Sequence, residues 1–474
     1  MEWFTAPDYW QGRLIFQRGL AVIYALAFLA AALQFRALLG EHGMLPIPRY
    51  LRRTPFHRSP SLFHLHYSDR FYAVVAWSGA GLAVAIAAGA ADLVPLWASM
   101  LLWLALWVLY LSIINVGQTW YAFGWESLLL EAGFLAIFLG NDTVAPPLLV
   151  LFAARWLLFR VEFGAGLIKL RGDRCWRKLT CLYYHHETQP MPGPLSWFFH
   201  HLPRPLHRVE AAANHVAQLV VPFGLFAPQP VASVAACLLI VTQLWLVISG
   251  NFSWLNWVTL LLATTVVVGY PVLPDAPPVA DPPVWFVGAV FAYIAMVVVL
   301  SYRPVANLAS PKQAMNASFD PLHLVNTYGA FGDITRVRQE IVFEGTTATH
   351  LTADTVWREY EFKGKPGDPR YRPRQWAPYH LRLDWLLWFA ALSPSYARGW
   401  AMPLAARLLT NDPDTLRLLR YCPFPEEPPR YLRARLYEYR FSSPAELFGE
   451  RIWWRRTLIG EFLPPLTSEW IGRR

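Results

Sequence analysis

Arg155, Glu162 and Lys169 stand seven residues apart in the apolar run that leads into VEFGAGLIKLRGDRCWRKLT, Val161 to Thr180. Seven residues is about two turns of an α-helix, so the three charges share one face. A charge inside a membrane span costs about 2.5–3.5 kcal/mol on insertion scales, and it persists where it is paired or faces a wet cavity. Two chemistries suit such a stripe. As an ion-paired seam it holds helices together, with the Lys169 stem reaching toward the membrane edge. As a site, a desolvated Lys169 acts as a base with Glu162 beside it. Glu126 and Glu131 are two more acids in an apolar run. They either relay protons or pair with an arginine, for which Arg155 and Arg160 are the candidates.

Nine of the thirteen histidines fall in two basic stretches: His42, His57, His64, His66, His185, His186, His200, His201 and His207. His185, His186 and Glu187, with His200 and His201, offer donors for a metal. Adjacent histidines are not the spacing of a zinc-protease helix, so hydrogen-bonding histidines at a headgroup surface are the plainer reading. No metal or other cofactor is expected. Trp357, Tyr360, Trp376, Tyr379, Trp385 and Trp388 lie in the C-terminal third. Aromatic rings supply large contact area, which would suit capture of a partly folded protein; the alternative is a domain core. No Gly-x-Ser-x-Gly elbow, P-loop, dinucleotide fingerprint or zinc ribbon is present. Nothing calls for nucleic acid.

The elements that must position these residues are membrane helices. Hydrophobic residues make up 55% of the 474 and charged residues 15%, against about 25% charged in soluble domains. Mean hydropathy is +0.28. Templates of about 20 apolar residues predict about nine spans, near 14–33, 71–91, 93–115, 125–140, 147–170, 209–226, 231–249, 254–270 and 285–302. After Arg303 the pattern changes. Segments 335–343, 355–363 and 431–441 alternate as strands do, and 383–391 and 404–409 read as helices. The predicted fold is a polytopic α-helical membrane domain (1–311) followed by a smaller soluble α+β, β-sandwich-like domain (312–445). IWWRRTLIGEF, from Ile452, mixes Trp and Arg as an interfacial helix would, so 446–474 is expected to be an amphipathic tail.

The loops are asymmetric. Arg36, Arg49, Arg52, Arg53, Arg58 and Arg70 flank the second span, and Arg171, Arg174, Arg177, Lys178, Arg204 and Arg208 follow the fifth. The opposite loops hold Asp92, Asp142, Asp275 and Asp281 and no lysine or arginine. Positive-inside counting places the basic loops and the C-terminal domain in the cytoplasm. Lysine is scarce beside arginine, and Ala and Pro are abundant, which suggests a GC-rich bacterial genome. Cys175 and Cys181 share a loop and are placed to pair.

Six phrases occur together in order: GQTWYAFGWESLLLEAGFLAIF (117–138), CLYYHHETQPMPGPLSWFFHHLP (181–203), LVNTYGAFGDITRVRQEIVFEGT (324–346), WREYEFKGKPGDP (357–369), WAPYHLRLDWLLWFAAL (376–392) and PPRYLRARLYEYRF (428–441). Together they resemble the lipase maturation factor family over nearly the whole chain. The resemblance implies a multispanning N-terminal region and a soluble C-terminal domain. In animals such proteins sit in the endoplasmic reticulum membrane and help secreted dimeric lipases fold and assemble. It also implies a lumenal C-terminal domain, which conflicts with the charge count. A shorter stretch, FGAGLIKL followed by Trp, looks like the segment of vitamin K-dependent gamma-glutamyl carboxylase that holds a catalytic lysine, here Lys169. The expected function is a membrane-anchored chaperone that holds a client such as a lipase or another exported enzyme, without turnover of its own. The alternative is an intramembrane enzyme acting on a lipid or peptide with Lys169 as base. The expected partners are the bilayer and the client, in the plasma or inner membrane of a bacterium or the endoplasmic reticulum membrane of a eukaryote.

Overall fold

Among the described residues, five helices are long and apolar enough to cross a membrane: Pro7–Leu38, Asp69–Ala88, Leu96–Val116, Val231–Ser249 and Val284–Ala309. They belong to a computed structural model that describes residues 3–270 and 277–468. Asp275 and residues 469–474 of the expected tail lie outside the described residues. The helices used below are α1 (Trp10–Leu38), α2 (Asp69–Ala88), α3 (Leu96–Val116), α4 (Gly124–Ala136), α5 (Leu148–Arg171), α6 (Leu182–Thr188), α7 (Ser196–His200), α8 (Arg204–Leu219), α9 (Val231–Ser249), α10 (Leu255–Thr264), α11 (Val284–Leu300), α12 (Arg382–Leu392), α13 (Ala401–Leu409) and α14 (Pro444–Glu450).

The other four expected spans take different forms. α4 and α10 have 13 and 10 residues, too short to cross. α8 stops at Leu219, and a separate short turn holds Pro222, which has no N–H to continue the ladder. α5 has 24 residues, but Arg155, Arg160, Glu162 and Lys169 lie within it. Four charges facing lipid would cost on the order of 10 kcal/mol. All four are buried in the protein instead, so α5 is an inner helix.

Local chemistry sets the helix ends. Ser68 Oγ accepts the Phe71 N–H at 3.1 Å and starts α2, and Gly89 ends it at φ +114°, a left-handed value that favours glycine. α1 and α2 pack closely because Gly79 carries no side chain where a Cβ would strike the Phe28 ring. On the acidic side, Asp92 and Asp142 pair with Arg18 at 2.6 Å and Arg13 at 3.3 Å, both from α1.

The C-terminal domain is α+β. Strands β1 (Arg338–Thr346), β2 (Arg358–Glu359), β5 (Tyr431–Phe441) and β6 (Trp454–Leu466) form an antiparallel sheet in the order β2-β1-β5-β6. β3 (Glu361–Phe362) and β4 (Leu419–Tyr421) form a second pair. β1 is buried on both faces. Ile341 and Phe343 point into the main core, whereas Val342 joins Trp197, Tyr439, Phe441 and Trp454 in a second cluster. Alternation along one strand therefore ties the domain to α7.

The tail expectation is corrected here. IWWRRTLIGEF runs into β6 and is not an interfacial helix. β5 supplies a partner from Phe441↔Trp454 to Leu432↔Leu466. A local mix of Trp and Arg says nothing about a strand partner elsewhere in the chain.

Candidate functional site

The charge stripe on α5 does not form direct ion pairs. Lys169 Nζ donates to Asn214 Oδ1 at 2.9 Å and to Gln218 Oε1 at 2.7 Å, both on α8. Gln218 Nε2 donates onward to Glu162 at 3.3 Å, and Gln243 Nε2 on α9 donates to Glu162 at 2.6 Å. Asn256 on α10 donates to Gln243 at 2.7 Å. Side-chain amides thus link two opposite charges across four helices. Arg155 is separate: it donates to the Leu225 carbonyl at 3.1 Å and to the Tyr9 hydroxyl at 2.9 Å. The Lys169 ammonium also lies 5.0 Å from the centre of the Trp176 ring. Such a saturated chain suits helix cohesion, with Lys169 committed to two acceptors.

The acids of α4 anchor the C-terminal domain. Glu126, fully buried, accepts from Arg382 at 2.6 Å and from the Tyr110 hydroxyl at 2.6 Å. Arg382 lies 3.4 Å over the Tyr121 ring and donates to the Trp120 carbonyl at 2.8 Å. Glu131 pairs with Arg160 and accepts from the Tyr328 hydroxyl at 2.7 Å and the Asn326 backbone N–H at 3.0 Å. One short helix therefore grips two segments far away in sequence. The Arg382 partner carried no local signal, because 256 residues separate it from Glu126.

The candidate aromatics do not form an exposed face. Tyr360 and Trp385 are buried. Trp376 and Tyr379 pack against the core, and Tyr379 also receives a hydrogen bond from Gln34 of α1 at 3.3 Å. Trp388 Nε1 donates to the Thr188 carbonyl at 3.0 Å, and Trp357 stacks under Arg433 at 3.9 Å. These rings join the C-terminal domain to itself and to the membrane part. Exposed apolar residues lie elsewhere. Phe198 (41% exposed) and Phe448 (73% exposed) flank Trp197 and Trp453 where the loop after α5 meets β6. Leu195 is exposed on the same loop. A shallow basic cleft beside them is lined by Pro194, Tyr371, Arg372, Pro373 and Arg374. Phe198 sits in the quoted phrase LSWFFHH, but only the fold shows that Phe448 joins it.

The expected histidine group is also split. His185 is buried beside Phe252 and Phe331; burial, then His186 and Lys169, push it down to about 3. Glu187 accepts the Phe441 backbone N–H at 2.7 Å, with His200 3.7 Å away. His201 stacks on Trp197 at 4.0 Å. His186 turns instead toward His207 and Glu210 of α8, which the sequence reading did not combine with it. The signal that could have found them is the i, i+3 spacing of His207 and Glu210, which places both on one helical face.

Two further features bear on the site. Cys175 and Cys181 form a disulfide at the start of the loop. Beneath the sheet, Arg338 and Lys365 (the latter at 2.8 Å) flank the buried Glu340. Asp384 accepts the Gly364 N–H at 2.6 Å; burial pushes its carboxyl up to about 6, although that hydrogen bond and the Lys365 and Lys363 charges pull it down.

Comparison with known proteins matches both halves of the chain. The lipase maturation factor transmembrane domain matches residues 11–270, and the lipase maturation factor C-terminal domain matches residues 324–464. Lipase maturation factor 1 of Bos taurus is 41% identical over 98% of this chain and 90% of its own length. The Homo sapiens protein of that name is 40% identical over 97% and 88%. Lipase maturation factor 2 of Rattus norvegicus is 29% identical over 96% and 82%. No solved structure matches. The chain belongs to the lipase maturation factor family.

Proposed function

We propose that this protein is a membrane-anchored maturation factor that holds a partly folded lipase, or another exported enzyme, against the seam between the loop after α5 and the C-terminal sheet. The observation that carries this reading is the exposed Phe198 and Phe448 pair around Trp197 and Trp453, with the basic cleft beside it. Exposed aromatic anchors with a polar rim are what a protein-binding surface needs. The family's name supplies the client class.

The client must reach that seam, so the loop and the C-terminal domain belong on the export side. The Cys175–Cys181 disulfide favours this side, because disulfides persist in oxidising compartments. In this reading the loop arginines serve recognition and not orientation. The membrane is the endoplasmic reticulum in a eukaryotic host and the inner or plasma membrane in a bacterium. Chemistry at Lys169 is not favoured, since its ammonium is occupied by Asn214, Gln218 and the Trp176 ring.

Co-expression with a secreted lipase tests the proposal. Phe198→Ser with Phe448→Ser should lower client co-purification and secreted lipase activity together, by about tenfold or more, as loss of two binding anchors does. Reversal of the exposed Arg174 and Arg177 to Glu should also abolish co-purification. Undiminished co-purification in both variants would refute the proposed surface.

A further inference from the structure

His186, on α6, and His207 and Glu210, on α8, place one donor atom each within 4.8 Å of one another. His186 Nε2 lies 3.7 Å from Glu210 Oε2, and His207 Nδ1 lies 3.9 Å from the same oxygen. Both histidines are 2% exposed. Among the described residues neither ring nitrogen of His186, nor His207 Nδ1, nor Glu210 Oε2 has a hydrogen-bond partner. Buried polar atoms are seldom left so, and four in one spot need an explanation.

The other atoms of the group are held in place. His207 Nε2 lies 3.3 Å from the His200 carbonyl oxygen. A carbonyl only accepts, so Nε2 carries a proton. In an imidazolium the Nδ1–H would stand 3.9 Å from Glu210 Oε2, beyond hydrogen-bond length, and in the neutral ring Nδ1 presents a lone pair to that carboxylate. Glu210 Oε1 accepts from Trp245 Nε1 at 2.7 Å, which leaves Oε2 turned inward. His186 stacks on Phe199 at 5.5 Å. A lone pair facing an anion is repulsive unless a cation lies between them. The two arginines nearest in sequence are engaged elsewhere: Arg208 donates to the Tyr183 hydroxyl and Arg204 lies over the Tyr183 ring. A shared proton does not bridge gaps of 3.7 and 3.9 Å, which exceed hydrogen-bond length.

We propose that His186, His207 and Glu210 form a zinc site, with water as the fourth ligand. Two imidazoles and a carboxylate are a known three-ligand set for this ion. Bonds of about 2.0–2.1 Å at a tetrahedral angle put donor atoms about 3.3 Å apart, so closure of roughly half an ångström at Glu210 completes two of the three contacts. The groups that fix His207 and Glu210 through their far atoms, the His200 carbonyl and the Trp245 indole, are the outer partners that metal ligands use. Zinc would pin α6 to α8 and set the shape of the loop. The site stands independently of the client reading.

The full-length protein, purified in detergent without a polyhistidine tag, should be stripped with a chelator and titrated with Zn²⁺ against a chromophoric competitor. The expected result is one high-affinity zinc per chain and a rise in unfolding temperature. Loss of an outer partner alone costs about 10- to 100-fold in affinity, so Glu210→Gln and His186→Phe should each weaken binding by about 100-fold or more. Glu210→Gln keeps the volume of the site and His186→Phe keeps a planar ring there, and size-exclusion profiles and circular dichroism of the metal-free proteins would verify folding. A wild-type protein that keeps no zinc at micromolar free metal would overturn the proposal. So would correctly folded variants that bind as tightly as wild type.

Discussion

Lys169 and His186 are both buried titratable groups beside α8, yet their surroundings differ in kind. Lys169 has two amide acceptors and a ring face, and the acid it serves, Glu162, has two amide donors of its own. The His186 ring has no hydrogen-bond partner among the described residues, and the carboxylate nearest to it leaves one oxygen unpaired. The first arrangement is complete as it stands, and the second is complete only with something added. Between these two sites the difference lies in saturation and not in burial, since both are buried. Among the aromatics the contrast is one of burial: Trp385 and Tyr360 are enclosed, whereas Phe198 and Phe448 are not.

The comparison can be broken first at the buried charges that hold the fold. Glu126→Leu should be the most disruptive single change, because it leaves Arg382 buried and uncompensated. Removing one partner of such a pair costs about 3–5 kcal/mol. Thermal unfolding in detergent would read this, and protease sensitivity of the 312–468 region should rise. Adding Arg382→Met should restore part of the loss; if the two effects simply add, the anchor is not a pair.

The Phe198→Ser, Phe448→Ser protein should show the opposite pattern. Surface changes of this kind move stability by within about 0.5 kcal/mol, so the unfolding temperature should stay near wild type while lipase secretion falls. A parallel loss of stability would mean that the two rings are structural. Lys169→Ala should lower stability by about 1–3 kcal/mol, through Asn214 and Gln218 left partnerless, and should leave most client maturation intact. Loss of maturation with stability preserved would revive the Lys169 enzyme reading.

The last effect appears only over a window of pH. Asp384 has its folded carboxyl raised to about 6 from 3.8. A raised folded value adds stability that is fully present below the unfolded value and is lost as pH rises through the folded one. Between pH 4 and 6.5 the wild type should therefore lose stability relative to Asp384→Asn, by on the order of 2–3 kcal/mol at most. Asn keeps an acceptor for the Gly364 N–H. Parallel unfolding curves of the two proteins across that range would rule the titration out.

Much of the architecture was legible because it is written in local patterns. β5 occupies 431–441 as its alternation implied, and α12 and α13 fall where apolar helices were expected. The span count was not legible. An inner helix such as α5 and a membrane-facing one such as α11 both carry long apolar runs, and only packing shows which meets lipid. β6 was missed for a related reason: strand pairing is settled by a partner that local composition does not name. At the site, the lysine stripe stood out because charges are rare in apolar runs. The His186, His207 and Glu210 group is divided between two helices, and its missing partners are visible only in three dimensions.

The central claim is that an exported client rests on the seam around Phe198. A photo-crosslinking amino acid placed at position 198, with a control at the exposed Val299 of α11, tests it most directly in cells co-expressing a secreted lipase. The expected result is a covalent adduct with immature lipase from position 198 and none from position 299, together with labelling of Cys422, a free cysteine of the C-terminal domain, by an impermeant thiol reagent from the export side once Cys237 is replaced. No lipase adduct from position 198, or Cys422 labelling only from the cytoplasmic side, would contradict it.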